Sequence, residues 1–209
     1  NRTAAILLRA EVEAAGTGAL VVGDIGPSGE ILAPLGTLEY ADAVEGFAEQ
    51  AAALAAGGVD AFWIETMSAL EEMQAAVEGV RKAAPDMPVI TTMTFDTRGH
   101  TMMGVSPEKA VKALCELGAA AVGGNCGNGP DEILAVIKKM HAANPTAILV
   151  AKSNTGMPEL VNGKAVYKAK PDDMAQYARE IREAGACVIG ACCGSTPAHL
   201  KAMAEVLLS

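Results

Sequence analysis

Short apolar runs alternate along this chain with longer stretches in which alanine, leucine, valine and methionine recur at helical spacing. The runs Ala19–Val22, Ala61–Ile64, Val89–Phe95, Ala119–Val122, Ala147–Val150 and Cys187–Gly190 predict strands, the third of them rich in threonine and β-branched residues. Helices are predicted over Asn1–Ala15, Tyr40–Ala56, Leu70–Ala84, Pro107–Leu117, Pro130–Ala143, Asp172–Ala184 and Pro197–Leu208. Ser106-Pro107-Glu108 places proline at a first helical position, where its missing N–H costs nothing. Strands alternating with helices mean a parallel sheet, and so short and regular a period favours an α/β fold of the (β/α)8 TIM barrel kind over an open sheet. About six strand–helix units are visible where a barrel needs eight. The first helix has no strand before it, so one or two initial units are expected to be absent. The expectation is one barrel domain over residues 1–209, incomplete at its N-terminus, with two unpaired sheet edges.

Composition narrows the partners. The 209 residues are 51% hydrophobic and 20% charged, with 22 glycines and 3% aromatics, which describes a globular chain able to bury a sizeable core. A net charge of -9 argues against nucleic acid or an anionic membrane surface. No apolar stretch reaches the roughly 18 residues of a membrane span, and no charged-then-apolar leader opens the chain. Five cysteines, an odd number not spaced as a disulfide framework, suit a reducing cytoplasm in which thiolates hold metal.

Three of those cysteines carry the chemistry. Cys192 and Cys193 are adjacent in Gly190-Ala191-Cys192-Cys193-Gly194-Ser195-Thr196-Pro197, and Cys126 stands in Gly123-Gly124-Asn125-Cys126-Gly127. Each follows an apolar strand and precedes a glycine and a helix start, the way the catalytic edge of a parallel α/β sheet is written. They read as a three-thiolate Zn²⁺ site with one open position, the mark of a catalytic rather than a structural zinc. Cys115, in a helix, and Cys187, inside a strand, read as small buried hydrophobes. His100, His141 and His199 lie away from strand ends, and no phosphate-binding glycine loop is present.

Gly190-Ala191-Cys192-Cys193-Gly194-Ser195-Thr196-Pro197-Ala198-His199 together with Gly124-Asn125-Cys126 closely resembles the signature of the zinc-dependent homocysteine S-methyltransferase family. That family includes betaine–homocysteine methyltransferase and the homocysteine domain of cobalamin-dependent methionine synthase. The resemblance covers nearly the whole chain, with weaker strand-end matches at Gly23-Asp24-Ile25-Gly26-Pro27, Trp63-Ile64-Glu65-Thr66 and Lys152-Ser153-Asn154-Thr155-Gly156. It implies a methyltransferase of methionine biosynthesis in which Cys126, Cys192 and Cys193 activate the homocysteine thiol as a zinc thiolate. A free thiol of pKa about 8.5 is largely unreactive near neutrality, whereas a zinc-bound one is deprotonated.

The resemblance also implies that Glu65 receives the substrate ammonium and that Asn154 fills the fourth zinc position until homocysteine displaces it. Read from the residues alone, Glu65 has a second, lesser reading as a helix-capping carboxylate, and Asn154 is equally a turn former before Gly156. Asn125 is a candidate to orient the cysteine loop by hydrogen bonds. The methyl donor stays open between a betaine-like molecule, a methylcorrinoid or methylfolate system presented by another protein or domain, and S-methylmethionine. Thr66 stands where vertebrate-type betaine enzymes carry an aromatic residue, which weakens the betaine reading. Two other readings stand beside methyl transfer: a vicinal-thiol redox protein using Cys192 and Cys193, and a structural zinc protein, which would need a fourth permanent ligand.

Overall fold

A computed structural model describes all 209 residues. Its order is α1 (Arg2–Ala15), β1 (Val22–Ile25), α2 (Tyr40–Ala55), β2 (Ala61–Met67), α3 (Leu70–Ala83), β3 (Val89–Met93), α4 (Pro107–Glu116), β4 (Ala121–Cys126), α5 (Pro130–Ala143) and β5 (Leu149–Ser153). A hairpin of β6 (Glu159–Val161) and β7 (Lys164–Val166) follows, then α6 (Pro171–Glu183), β8 (Ala186–Ala191) and α7 (Pro197–Leu207). Proline opens each of α4 to α7, so four loops hand over to helices in the same way.

Six strands form one parallel sheet in the order β1-β2-β3-β4-β5-β8. Sequential strands lie side by side, as β/α units of a barrel do. The apolar positions of each strand alternate faces. In β2, Phe62, Ile64 and Met67 are fully buried, while Trp63 and Glu65 are half-buried on the opposite side. The first set joins Phe47, Met73, Val80, Leu114, Ile137, Met140 and Met174 in one core between sheet and helices.

The sheet curls. Three strand spacings separate β2 from β5, about 14 Å on a flat sheet, yet Lys152 of β5 forms an ion pair with Glu65 of β2. Only a concave face can bring those side chains together. This is the six-strand arc of an α/β barrel, with polar residues lining its inner surface.

Candidate active site

Two loops carry the cysteines and the ends of their neighbours hold them. Cys126 is the last residue of β4 and has a left-handed backbone, φ 58°. Cys192 follows β8 directly, and its N–H donates to the carbonyl of Ser153 at 2.7 Å. Thr155 donates its backbone N–H to the Cys193 carbonyl at 3.0 Å and its hydroxyl to the same oxygen at 3.2 Å. Asn154 ties the loops to each other: its Nδ2 donates to the Gly127 carbonyl at 2.8 Å and its Oδ1 accepts from the Cys193 N–H at 3.0 Å.

The three sulfurs converge. Cys126 Sγ lies 3.0 Å from Cys192 Sγ, and all three sulfur atoms lie within 4.8 Å of one another. Tetrahedral zinc with Zn–S bonds of about 2.3 Å sets its sulfurs roughly 3.8 Å apart. The observed spacings bracket that value, so the donors fit a metal ion with small shifts. The group comprises three side chains, which leaves a fourth position for something else. Their charges are interdependent. The hydrogen bond from Cys126, opposed by burial and helped by the Lys152 charge, holds the Cys192 thiol down at about 6. The same hydrogen bond, then burial, pushes the Cys126 thiol up. Burial raises Cys193.

Asn125 is fully buried and braces the first cysteine loop against β2. Its Oδ1 accepts from the Thr66 N–H at 2.9 Å, and its Nδ2 donates to Thr66 Oγ1 at 2.7 Å and to Cys126 Sγ at 3.5 Å. Thr66 sits at φ 66°, a conformation that β-branched residues rarely adopt. The β2–β3 pairing slips here, from Ile64 opposite Thr91 to Met67 opposite Met93, so Glu65 and Thr66 face one residue of β3. Such a bulge re-aims a side chain. Glu65 lies on the concave face, half-buried and paired with Lys152.

Two residues beside the site go unmarked in the sequence. Lys152 lies within a quoted motif but acquires a partner only because the sheet curls. Tyr167 is delivered by the β6–β7 hairpin, and its ring packs against Gly194. A Cβ at Gly194 would stand 2.3 Å from Tyr167 Cγ and 2.1 Å from Thr155 Oγ1, and its φ is +81°, so glycine is required there. The signal for the hairpin was Asn162-Gly163 between short apolar stretches; both residues have positive φ, 51° and 75°.

His199 Nδ1 accepts from the Thr196 N–H at 3.1 Å while Nε2 reaches the Ala169 carbonyl at 3.0 Å, which makes it a cap. Cys115 is partly buried, with Asn144 Nδ2 at 3.5 Å from its sulfur. Cys187, expected to be buried, is exposed at a bulge, where the pairing of β8 with β5 steps from Ala186 opposite Leu149 to Val188 opposite Val150 and skips it. No helix is long and apolar enough to cross a membrane.

Residues 1–207 match the family described as homocysteine S-methyltransferase. Methionine synthase of Mycobacterium tuberculosis is 35% identical over 194 residues, 90% of this chain, and that of Mycobacterium leprae is 34% identical over the same length. The chain spans 16% of the length of each. Among solved structures, the homocysteine methyltransferase MmuM from Escherichia coli in its apo form superposes with a TM-score of 0.73 at 23% identity, over 95% of this chain and 67% of that one. Its metallated form gives 0.71 at 24% identity, over 96% and 66%. These structures establish the shared fold, and the sequence match over almost every residue establishes the lineage: the chain belongs to the homocysteine S-methyltransferase family.

Proposed function

We propose that residues 1–209 form a homocysteine-binding barrel domain that transfers a methyl group to the homocysteine sulfur, giving methionine, with Cys126, Cys192 and Cys193 holding Zn²⁺. The observation that carries this reading is the meeting of three thiols at the strand ends beside the Glu65–Lys152 pair on the same concave face. Soft thiolate donors favour zinc over hard cations such as magnesium or calcium. When bound there, zinc would supply an open position at which a substrate thiol loses its proton near neutral pH. The names of the relatives, methionine synthase and homocysteine methyltransferase, support the same substrate and product.

The chain's own residues would do the rest. Glu65 receives the substrate ammonium. Asn125 holds the Cys126 loop and the Glu65–Thr66 bulge in mutual register. Asn154 locks the two cysteine loops together, and the exchange that the resemblance implies would have its Oδ1 turn between the Cys193 N–H and the open position. In the transfer, a sulfur lone pair of homocysteine forms the new S–CH₃ bond, the thiol proton passes to solvent, and the donor departs with the electron pair of the bond that breaks.

For the donor we favour a methylcorrinoid or methylfolate system presented by another domain or protein over a betaine-like molecule. A trimethylammonium group is held by several aromatic faces. Near the sulfurs this chain offers Tyr167, and Trp63 already has the Lys152 ammonium over its ring at 4.9 Å. All five cysteines are free, which fits a reducing cytoplasmic setting.

Zinc-edge X-ray absorption with and without L-homocysteine tests the proposal. The number of sulfur ligands should rise from three to four when the thiol is added. An unchanged shell would remove homocysteine activation as the function of the triad.

A further inference from the structure

Lys152 is a charged, largely buried side chain of the concave face to which the reading above assigns no task. It projects from β5 between Asn125 of β4 and Gly190 of β8 in the strand register. Its stem lies across Gly190, where a Cβ would meet Lys152 Cγ at 3.4 Å and Cδ at 3.9 Å. Its ammonium pairs with Glu65 Oε2 and stands 4.9 Å from the centre of the Trp63 ring. Trp63 is fixed in turn, its Nε1–H donating to Thr92 Oγ1 at 3.0 Å. The two charged side chains are only 23% and 15% exposed. The next charges in range are Asp24 from β1, and Cys192 after β8, which also places Lys152 beside the sulfurs.

This arrangement sets three chemistries side by side: a thiol site, a carboxylate and an ammonium. An α-amino acid with a thiol side chain carries the complement of all three. If Glu65 takes the substrate ammonium, as proposed above, Lys152 loses its carboxylate partner in a place where solvent cannot fully replace it. An unpaired, half-buried ammonium is costly. The substrate's own carboxylate removes that cost, while the Trp63 face steadies the ammonium during the exchange.

We propose that Lys152 binds the α-carboxylate of the substrate, so that the Glu65–Lys152 ion pair is a placeholder for a zwitterion and selects amino acids over simple aminothiols. The exchange conserves charge: one internal pair opens, a zwitterion enters, and two pairs form. An aminothiol without the carboxylate would leave two cations, its own ammonium and that of Lys152, competing for Glu65, with only Asp24 as a further carboxylate in range. The proposal rests on the homocysteine reading and adds to it a residue and a rule of selectivity.

Calorimetric titration of the zinc-loaded protein with L-homocysteine and with 3-aminopropanethiol, which is homocysteine without its carboxylate, tests it. The unmodified protein should prefer homocysteine by about 30-fold or more, as loss of a partly buried charge pair implies. Lys152→Met keeps the stem and should bring the two ligands close to parity, chiefly by weakening homocysteine. Lys152→Arg keeps the charge and should retain most of the preference. A Lys152→Met protein that still prefers homocysteine as strongly overturns the proposal, and so does an arginine variant that behaves like the methionine one, since that would mean a packing role. If the unmodified protein binds both thiols equally, the Lys152 assignment alone fails. If it binds neither, the homocysteine reading fails and takes this one with it.

Discussion

Asn125 and Asn154 each serve two elements with a single amide. Asn125 joins Thr66 to Cys126, and Asn154 joins Gly127 to Cys193. The left-handed backbones at Thr66 and Cys126 cost on the order of 1–2 kcal/mol each and persist because such bonds hold them. Asn125→Ala should therefore lower stability by about 2–4 kcal/mol and metal affinity by about 10–100-fold, read by urea unfolding and chelator competition. Metal affinity within twofold of the unmodified protein would sink the bracing role. Asn154→Ala separates its two roles in the same measurements: a clamp predicts weaker metal binding, an exchanging ligand predicts altered homocysteine affinity, and no change in either disposes of both. The three cysteines are legible in the sequence because each stands at a strand end beside a glycine, whereas Asn154 reads equally as a turn former and its clamping bonds come into view only with the fold. Lys152 is not legible, because its meaning depends on a curl of the sheet that no local pattern encodes.

At the scale of elements, every helix and sheet strand but the hairpin follows from the apolar pattern, while the strand boundaries shift. β1 lies at Val22–Ile25 rather than Ala19–Val22, β4 reaches Cys126 instead of stopping at Val122, and β5 runs to Ser153. The physical reason is common to all three. The apolar runs begin before the strands, with Leu20 and Ile148 exposed ahead of β1 and β5, whereas Asp24, Asn125 and Lys152 continue the ladder with polar side chains directed to the concave face. The helix α1 shows a second kind of local control. Only Ala5 of α1 is buried, and Arg9 anchors the helix, donating to the Gly58 carbonyl at 2.6 Å and pairing with Asp60 at 2.6 Å. Asp60 also accepts the Val21 N–H at 2.7 Å, and that bond, followed by Arg9, holds its carboxyl below the ordinary value of 3.8. A carboxyl lowered on folding contributes stability above its unfolded pKa and loses that contribution as pH falls through the lowered one. The docking of α1 should thus persist down to about pH 4 and weaken below it. The Val21 amide proton, followed by NMR, should titrate with a midpoint under 3.8, and Asp60→Asn should abolish the step. A midpoint at or above the ordinary carboxylate value would show that the anchor is not formed.

At the scale of the molecule, the parallel sheet with a polar concave face is what alternating strands and helices require, and the six strands of residues 1–209 leave it two edges. β1 has a partner only in β2, and β8 only in β5, so both flanks present unpaired N–H and C=O groups. A closed barrel has no such flanks, and an open edge is a template for pairing with another chain. The two edges differ in their protection. β1 is four residues long and carries Asp24, whereas β8 runs Ala186-Cys187-Val188-Ile189-Gly190-Ala191 with no charge. An uncharged apolar edge is the more adhesive of the two. Produced on their own, residues 1–209 should therefore self-associate as their concentration rises, through β8 rather than β1. Cys187 is exposed on β8, so a charge there leaves the core untouched. Cys187→Lys should lower the weight-average mass measured by light scattering at high concentration while leaving the melting temperature within a few degrees of the unmodified protein. Equal association in the two proteins would exonerate β8, and a chain that stays monomeric throughout would mean that the curl of the sheet alone is enough to protect its flanks.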